Sequence, residues 1–229
     1  MANETAIGGR TLRLGYPTVI GLAITLGVPL YADFVGEPLS RLLTGSVRLI
    51  HEIGSRLILD WVVVVVVIAV VLRLERLPLT SIGWRRLDRG DIKWAFLVWI
   101  VVMVPVVLLS GQEFAEEDAG QSVLALPVWF KLLLLPTVAV TEEILFRGYP
   151  VERLIALTDR PWLAGGATWI VFTAAHIPFF GLRTVLFSTA PGGLALTFLY
   201  VRRRSLPANV LLHFLLDLFV LLPASVGEA

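Results

Sequence analysis

The stretch LALPVWFKLLLLPTVAVTEEILFRG, Leu124 to Gly148, decides how the rest of the chain is read. It begins as a nearly unbroken apolar run, Leu124 to Val140. It ends on two adjacent carboxylates, Glu142 and Glu143, followed by Arg147. A helix that crosses a bilayer needs about 20 mostly apolar residues, and this run approaches that length. An ionised carboxylate in hydrocarbon costs several kcal/mol at least, so charges in such a place mark a functional site by default.

Composition points the same way. Of the 229 residues, 57% are hydrophobic and 16% are charged, against about 25% charged in soluble domains. The mean hydropathy is +0.83. An integral membrane protein is expected. The net charge of +1 identifies no partner. No basic tract is interleaved with aromatics, so no nucleic-acid partner is expected. The absence of cysteine excludes disulfides, thiol chemistry and Cys-ligated metals. Arg10 and Arg13 precede an apolar run without a small-residue cleavage site, which predicts an uncleaved first span.

Further spans are expected outward from the quoted stretch. On its N-terminal side lie Leu14–Tyr31, Leu57–Leu72 with six consecutive valines (Val62 to Val67), and Ile92–Leu109. The segment Asp33–Arg56 is mixed and reads as an amphipathic helix lying at the interface. The quoted stretch forms the fourth span, about Leu124–Phe146, with Pro136 as a kink and Lys131 snorkelling toward the nearer interface. Val151–Pro161 is a polar connection. Trp162–Phe180, Leu182–Val201 and Leu206–Leu222 complete the set, the sixth bent or broken at Pro191-Gly192-Gly193. The acidic run from Gly111 to Gly120 reads as a solvated loop.

The fold class is therefore all-α, a polytopic transmembrane bundle of about seven spans with a polar site in its core. It becomes eight, with the N-terminus reversed, if Asp33–Arg56 also crosses. With the N-terminus cytoplasmic, inside segments hold 14 Lys and Arg and outside segments hold 4, as the positive-inside bias requires. No internal repeat or linker divides the chain. Residues 1–123 supply N-terminal spans and the interfacial segment; 124–222 supply the polar core of the same integrated domain.

Successive helical residues are about 100° apart, so Glu142 and Glu143 face different ways. Glu143 and Arg147, at i,i+4, can pair on one face. Glu142 then needs a proton, a metal or a watery cavity. Phe172 and His176 share a face in the fifth span, where Phe172 reads as packing. His213 and Asp217 share a face in the last, as a self-satisfied pair, two ligands, or an imidazole with its orienter. His51 has no assigned role. Intramembrane ionisable groups face the bundle interior and meet one another, so a convergent Glu142–His176–His213–Asp217 site is expected. Glu with His can activate water; the second His with Asp can bind a metal or stabilise an oxyanion. No Ser or Thr sits in such a constellation.

In order, Glu142-Glu143-x-x-x-Arg147, Phe172-x-x-x-His176 and His213-x-x-x-Asp217 resemble the three motifs of the CAAX protease and bacteriocin-processing family. The resemblance covers about Leu124 to Leu222. It implies an intramembrane endopeptidase of a prokaryotic cell membrane, with a site open toward the cytoplasm and a peptide or membrane-protein substrate that in some branches is lipidated. It implies Glu142 as general base and His176 as its aid in polarising water. His213 and Asp217 would stabilise the oxyanion, or, with Glu142 and His176, ligate a divalent metal such as zinc. Glu143 and Arg147 would hold the helix end. Asp217 departs from the Asn of the prenyl-protease branch; an ionised Asp repels an oxyanion, which favours orienting His213 or binding a metal and argues against a prenyl-protein substrate. Two other classes stay open: a non-catalytic membrane immunity or regulatory scaffold, and a transporter relaying protons through the same groups.

Overall fold

The computed structural model describes residues 4–7, 10–13, 15–44, 49–109 and 123–221. Apart from an antiparallel hairpin, Glu4–Ile7 (β1) with Arg10–Arg13 (β2), the regular structure described is helical. The α-helices are α1 (Tyr16–Thr44), α2 (Leu49–Ala69), α3 (Arg89–Leu109), α4 (Val128–Glu143), α5 (Tyr149–Thr158), α6 (Pro161–Thr184), α7 (Ala190–Arg203) and α8 (Leu206–Leu221). Short π-turns follow α2 (Val70–Leu74), α4 (Ile144–Gly148) and α6 (Val185–Thr189).

The valine run is helical. β-branched residues are weak helix formers in water, but a spanning backbone must satisfy its own hydrogen bonds. Val63, Val64 and Val67 are buried against the bundle, while Ile58, Trp61, Val62, Val65 and Val66 face outward. A helix apolar on every side belongs in lipid or a large core. Among the described residues two stretches are long and apolar enough to cross a bilayer, Ile50–Leu74 and Pro161–Arg203; Tyr16–Gly27 and Leu206–Leu221 are shorter apolar helices. Helix α8 packs on α3, α4 and α7, and α1 packs on α2, α5 and α6.

Several expectations are corrected. No separate interfacial helix occupies Asp33–Arg56: its first part prolongs α1 to Thr44 and its last part begins α2 at Leu49. Val151–Pro161 is not a simple connection, because the fourth span passes through the π-turn straight into α5. The sixth span does not break at Pro191-Gly192-Gly193. Pro191 stands just past the π-turn Val185–Thr189 and the chain stays helical through it to Arg203, while the kink falls at Gly181 (φ 76°). Lys131 does not snorkel. It is fully buried and donates to the Leu124 carbonyl and, at 3.2 Å, to the carbonyl of Leu221 that ends α8. The acidic loop Gly111–Gly120 lies outside the described residues.

Three ionic clusters with buried carboxylates tie together the loop after α2, the start of α3, α5 and the end of α7. Arg153 (α5) grips Glu75 at 2.7 Å and the Ser81 carbonyl at 2.8 Å, and Tyr149 donates to the same carboxylate at 2.9 Å. Arg204 and Tyr200 hold Glu152. Arg85 (2.7 Å) and Arg203 (2.9 Å) hold Asp91. Burial alone raises the Asp91 carboxyl, but hydrogen bonds from Arg85, the Asp88 backbone and Arg203 outweigh it and keep the group below the usual carboxylate range. The segments around residues 73–93, 147–160 and 202–204, read as lying on one side of the bilayer, thus meet.

Candidate active site

The π-turn Ile144–Gly148 is wholly buried and begins where α4 ends at Glu143. A π-bulge re-aims side chains within a helix, and such bulges are frequent at functional sites. Here the two carboxylates separate as their helical angle requires. Glu143 turns inward and is completely buried, with Arg147 Nη1 at 2.9 Å from Oε1. Arg147 also donates to the Gly193 carbonyl at 3.2 Å, and its guanidinium lies 4.1 Å over the Phe172 ring. Phe172 is thus packing, as read from sequence; it also meets Phe146 edge to face at 5.1 Å.

Glu143 has further partners that sequence did not disclose. Its Oε1 accepts from His213 Nδ1 at 2.8 Å, and its Oε2 accepts from Asn209 Nδ2 at 2.9 Å. Asn209 was missed. The available signal was register: Asn209, His213 and Asp217 stand at i, i+4 and i+8, hence on one stripe of α8.

Glu142 turns the other way, toward a cavity of about 230 Å³. Its Oε1 lies 3.8 Å from His176 Nε2 and its Oε2 3.8 Å from His213 Nε2. Asp217 Oδ2 lies 3.5 Å from the same His213 nitrogen. All four expected residues, from α4, α6 and α8, are brought together. The opposite wall carries Glu52, Arg56 and Asp60 of α2, which the sequence reading left without a role. Asp60, a charge inside an apolar stretch, was the signal passed over. Apolar side chains such as Leu57, Met103, Leu134 and Phe179 line much of the rest.

Hydrogen bonding assigns the ring protons. His176 Nδ1 lies 2.7 Å from the Phe172 carbonyl, which can only accept, so Nδ1 carries hydrogen. His213 Nδ1 faces the Glu143 carboxylate and carries hydrogen for the same reason. Both Nε2 atoms are then turned on Glu142. A carboxylate, two imidazole nitrogens and a second carboxylate face one another across gaps too wide for strong direct bonds. Such a set calls for protons, or for a bridging water whose hydrogens satisfy two acceptors at once.

The divalent ion that the motifs suggest fits less well. Among the described residues no group of three or more His, Asp or Glu side chains is disposed to hold a metal. The bond from His213 Nδ1 to Glu143 does not count against an ion, since a metal-ligating imidazole uses one nitrogen and donates the other N–H to a carboxylate in the same way.

Residues 124–219 match the family described as Type II CAAX prenyl endopeptidase Rce1-like. No curated protein and no solved structure matches the chain. The matched segment, less than half of the chain, holds all three motifs and is similar to that protease family. The apolar helices, two of them long enough to span a bilayer, are those of an integral membrane protein.

Proposed function

We propose that the protein is an intramembrane endopeptidase that hydrolyses a peptide bond of a membrane-associated protein or peptide with water activated by Glu142 and His176. The observation that carries this reading is the acceptor-only centre around Glu142, beside a second carboxylate that is fully engaged. A water in the 3.8 Å gap donates one hydrogen to Glu142 and one to His176 Nε2. Its lone pair then points away from both, toward the cavity. When the substrate carbonyl arrives, Glu142 takes the proton, the water oxygen bonds to the carbonyl carbon, and the C=O electrons move to oxygen. On collapse the C–N bond breaks and the proton on Glu142 passes to the departing amine.

His213 faces Glu142 and Asp217 through Nε2. A proton shared between His213 and Asp217 removes their acceptor–acceptor conflict and makes Nε2 a donor to the developing oxyanion. Asp217 serves best as the partner of that proton, since as a bare carboxylate it would repel the oxyanion. Glu143 and Arg147 hold the framework. We read the bundle as seven spans with the N-terminus and the open end of the site cytoplasmic; the clasped basic segments support that side assignment.

The test is cleavage of a fluorogenic, membrane-anchored peptide by purified protein in liposomes. Glu142→Ala, His176→Ala and His213→Ala should each abolish turnover. Retention of cleavage by all three overturns the reading. Activity after exhaustive chelation, with metal content measured in parallel, separates the water-only from the metal-assisted form.

A further inference from the structure

The pairing of Arg147 with Glu143 is one-armed, although both side chains are fully buried. Arg147 donates through Nη1 to Glu143 Oε1 and through Nη2 to the Gly193 carbonyl, and its Nε has no partner among the described residues. Arginine facing a carboxylate is held best by two parallel bonds, one to each oxygen. Here the second oxygen is occupied. Asn209 Nδ2 donates to Glu143 Oε2 at 2.9 Å and to the Leu196 carbonyl of α7 at 2.8 Å. The carboxylate is thereby fixed between α7 and α8, with Oε1 shared by Arg147 Nη1 at 2.9 Å and His213 Nδ1 at 2.8 Å. Among the described residues Asn209 Oδ1 is buried without a partner. An unpaired buried oxygen is destabilising and offsets part of what the two Nδ2 bonds contribute, so asparagine is not kept here for stability alone.

We propose that Asn209 is a positioning residue: by holding Glu143 Oε2 it fixes the rotation of the carboxylate, so that Oε1 meets Arg147 Nη1 and the Nδ1–H of His213 together and His213 Nε2 stays aimed at Glu142. Without the Asn209 donor the carboxylate is free to turn toward Arg147 with both oxygens, and that rotation moves Oε1 out of line with the Nδ1–H of His213, which loosens the bond that fixes the ring. The consequence for rate rests on the hydrolytic reading above; the consequence for the His213 hydrogen bond does not.

The experiment uses full-length protein in nanodiscs. In wild type the His213 Nδ1–H, bonded to a buried carboxylate, should give a protected downfield proton resonance, identified by its absence in His213→Gln. In Asn209→Leu that resonance should disappear. The thermal midpoint should fall by no more than a few degrees, because removal of an unsatisfied buried oxygen partly offsets the two lost hydrogen bonds. Turnover of the membrane-anchored peptide should fall at least tenfold in kcat, with KM within twofold. Adding Arg147→Lys to Asn209→Leu replaces the fork with an ammonium that cannot grip both oxygens in parallel. The double variant should regain the resonance and at least threefold of the lost kcat. If Asn209→Leu does not fold, Asn209→Ala removes the same donors without bulk and carries the same expectations.

Full kcat and an intact resonance in Asn209→Leu overturn the proposal. So does a loss of kcat that tracks a collapse in thermal midpoint while the resonance persists. If wild-type protein cleaves nothing, the protease reading fails and the resonance alone decides the role of Asn209.

Discussion

Glu142 and Glu143 are adjacent in sequence and chemically identical, yet replacing each by glutamine should produce opposite phenotypes. Glu142 stands 17% exposed on the cavity, 3.8 Å from each of two imidazole nitrogens and without a donor in direct contact. Glu142→Gln removes a negative charge from a cluster of acceptors and adds an amide that can donate to one of them. Stability should change by less than about 1 kcal/mol, in either direction. Activity should fall about 10²- to 10⁴-fold, the usual contribution of a positioned general base, or roughly 3–5 kcal/mol of barrier. Glu143 is fully buried against Arg147, His213 and Asn209. Glu143→Gln leaves the Arg147 cation without its counter-charge, and breaking a buried pair from one side costs about 3–5 kcal/mol. That corresponds to a fall in thermal midpoint on the order of 10 °C for a chain of this size. The assays are turnover of the anchored peptide in liposomes and thermal unfolding of the same preparations in nanodiscs. If Glu142→Gln stays within tenfold of wild type, or if both variants lose stability equally, the division of labour between the two carboxylates is wrong.

Lys131→Met should destabilise by about 1–3 kcal/mol, since it strips a donor from the Leu221 carbonyl at the end of α8; thermal unfolding at neutral pH reads it. Asp91 has a depressed folded-state pKa, so the stability it confers is present above the ordinary Asp range and is lost as pH falls through that depressed value. The stability gap between wild type and Asp91→Asn should therefore be widest near neutrality and should close only in strong acid, as a pH series of unfolding midpoints will show. Gly193→Ala should distort the site without touching a charge, because a Cβ there would lie 2.8 Å from the Phe172 ring. It should lower kcat at least tenfold, measured by peptide turnover.

What sequence disclosed was what is local. Apolar runs became helices because a chain in lipid has few alternatives, and Glu143 found Arg147 because i,i+4 neighbours meet on any helix. The errors arose where one composition serves two structures. Arg41 and Glu52 among apolar residues describe an interfacial helix as well as they describe the adjoining ends of α1 and α2. Proline followed by two glycines reads as a break, but here the helix runs on from the π-turn before Pro191 to Arg203 and bends at Gly181 instead. Gly193 is there for the close approach of Phe172. The bond from His213 to Glu143 joins residues 70 positions apart; no spacing rule reaches that far. Asn209 escaped because a neutral amide in an apolar helix carries no charge to demand a partner, although its register with His213 was visible.

The same geometry explains how a site this polar is tolerated among apolar helices. Lys131 is held by backbone carbonyls, and the buried carboxylates away from the cavity are each bonded to arginine: Glu143 with Arg147, Glu75 with Arg153, Glu152 with Arg204, Asp91 with Arg85 and Arg203. Those pairs are structural, and each helps fix an element that carries or backs the site. Glu142, His176 and Asp217 differ, in that their facing polar atoms stop 3.5 to 3.8 Å short of one another and border a cavity. His213 belongs to both sets, bonded through Nδ1 to the structural carboxylate and presented through Nε2 to the open one. A ring fixed on one side and unsatisfied on the other transmits the rigidity of the buried pairs to the reacting centre. This leads to a graded expectation. Substitutions in the Glu75–Arg153 cluster should lower stability while leaving kcat of the folded fraction near wild type. Substitutions on the Glu143–His213 axis should lower both, because that axis joins a buried pair to the open centre by a direct hydrogen bond. Measuring active-site titre alongside thermal midpoint across the series separates the two classes, and a uniform dependence of kcat on stability would remove the distinction.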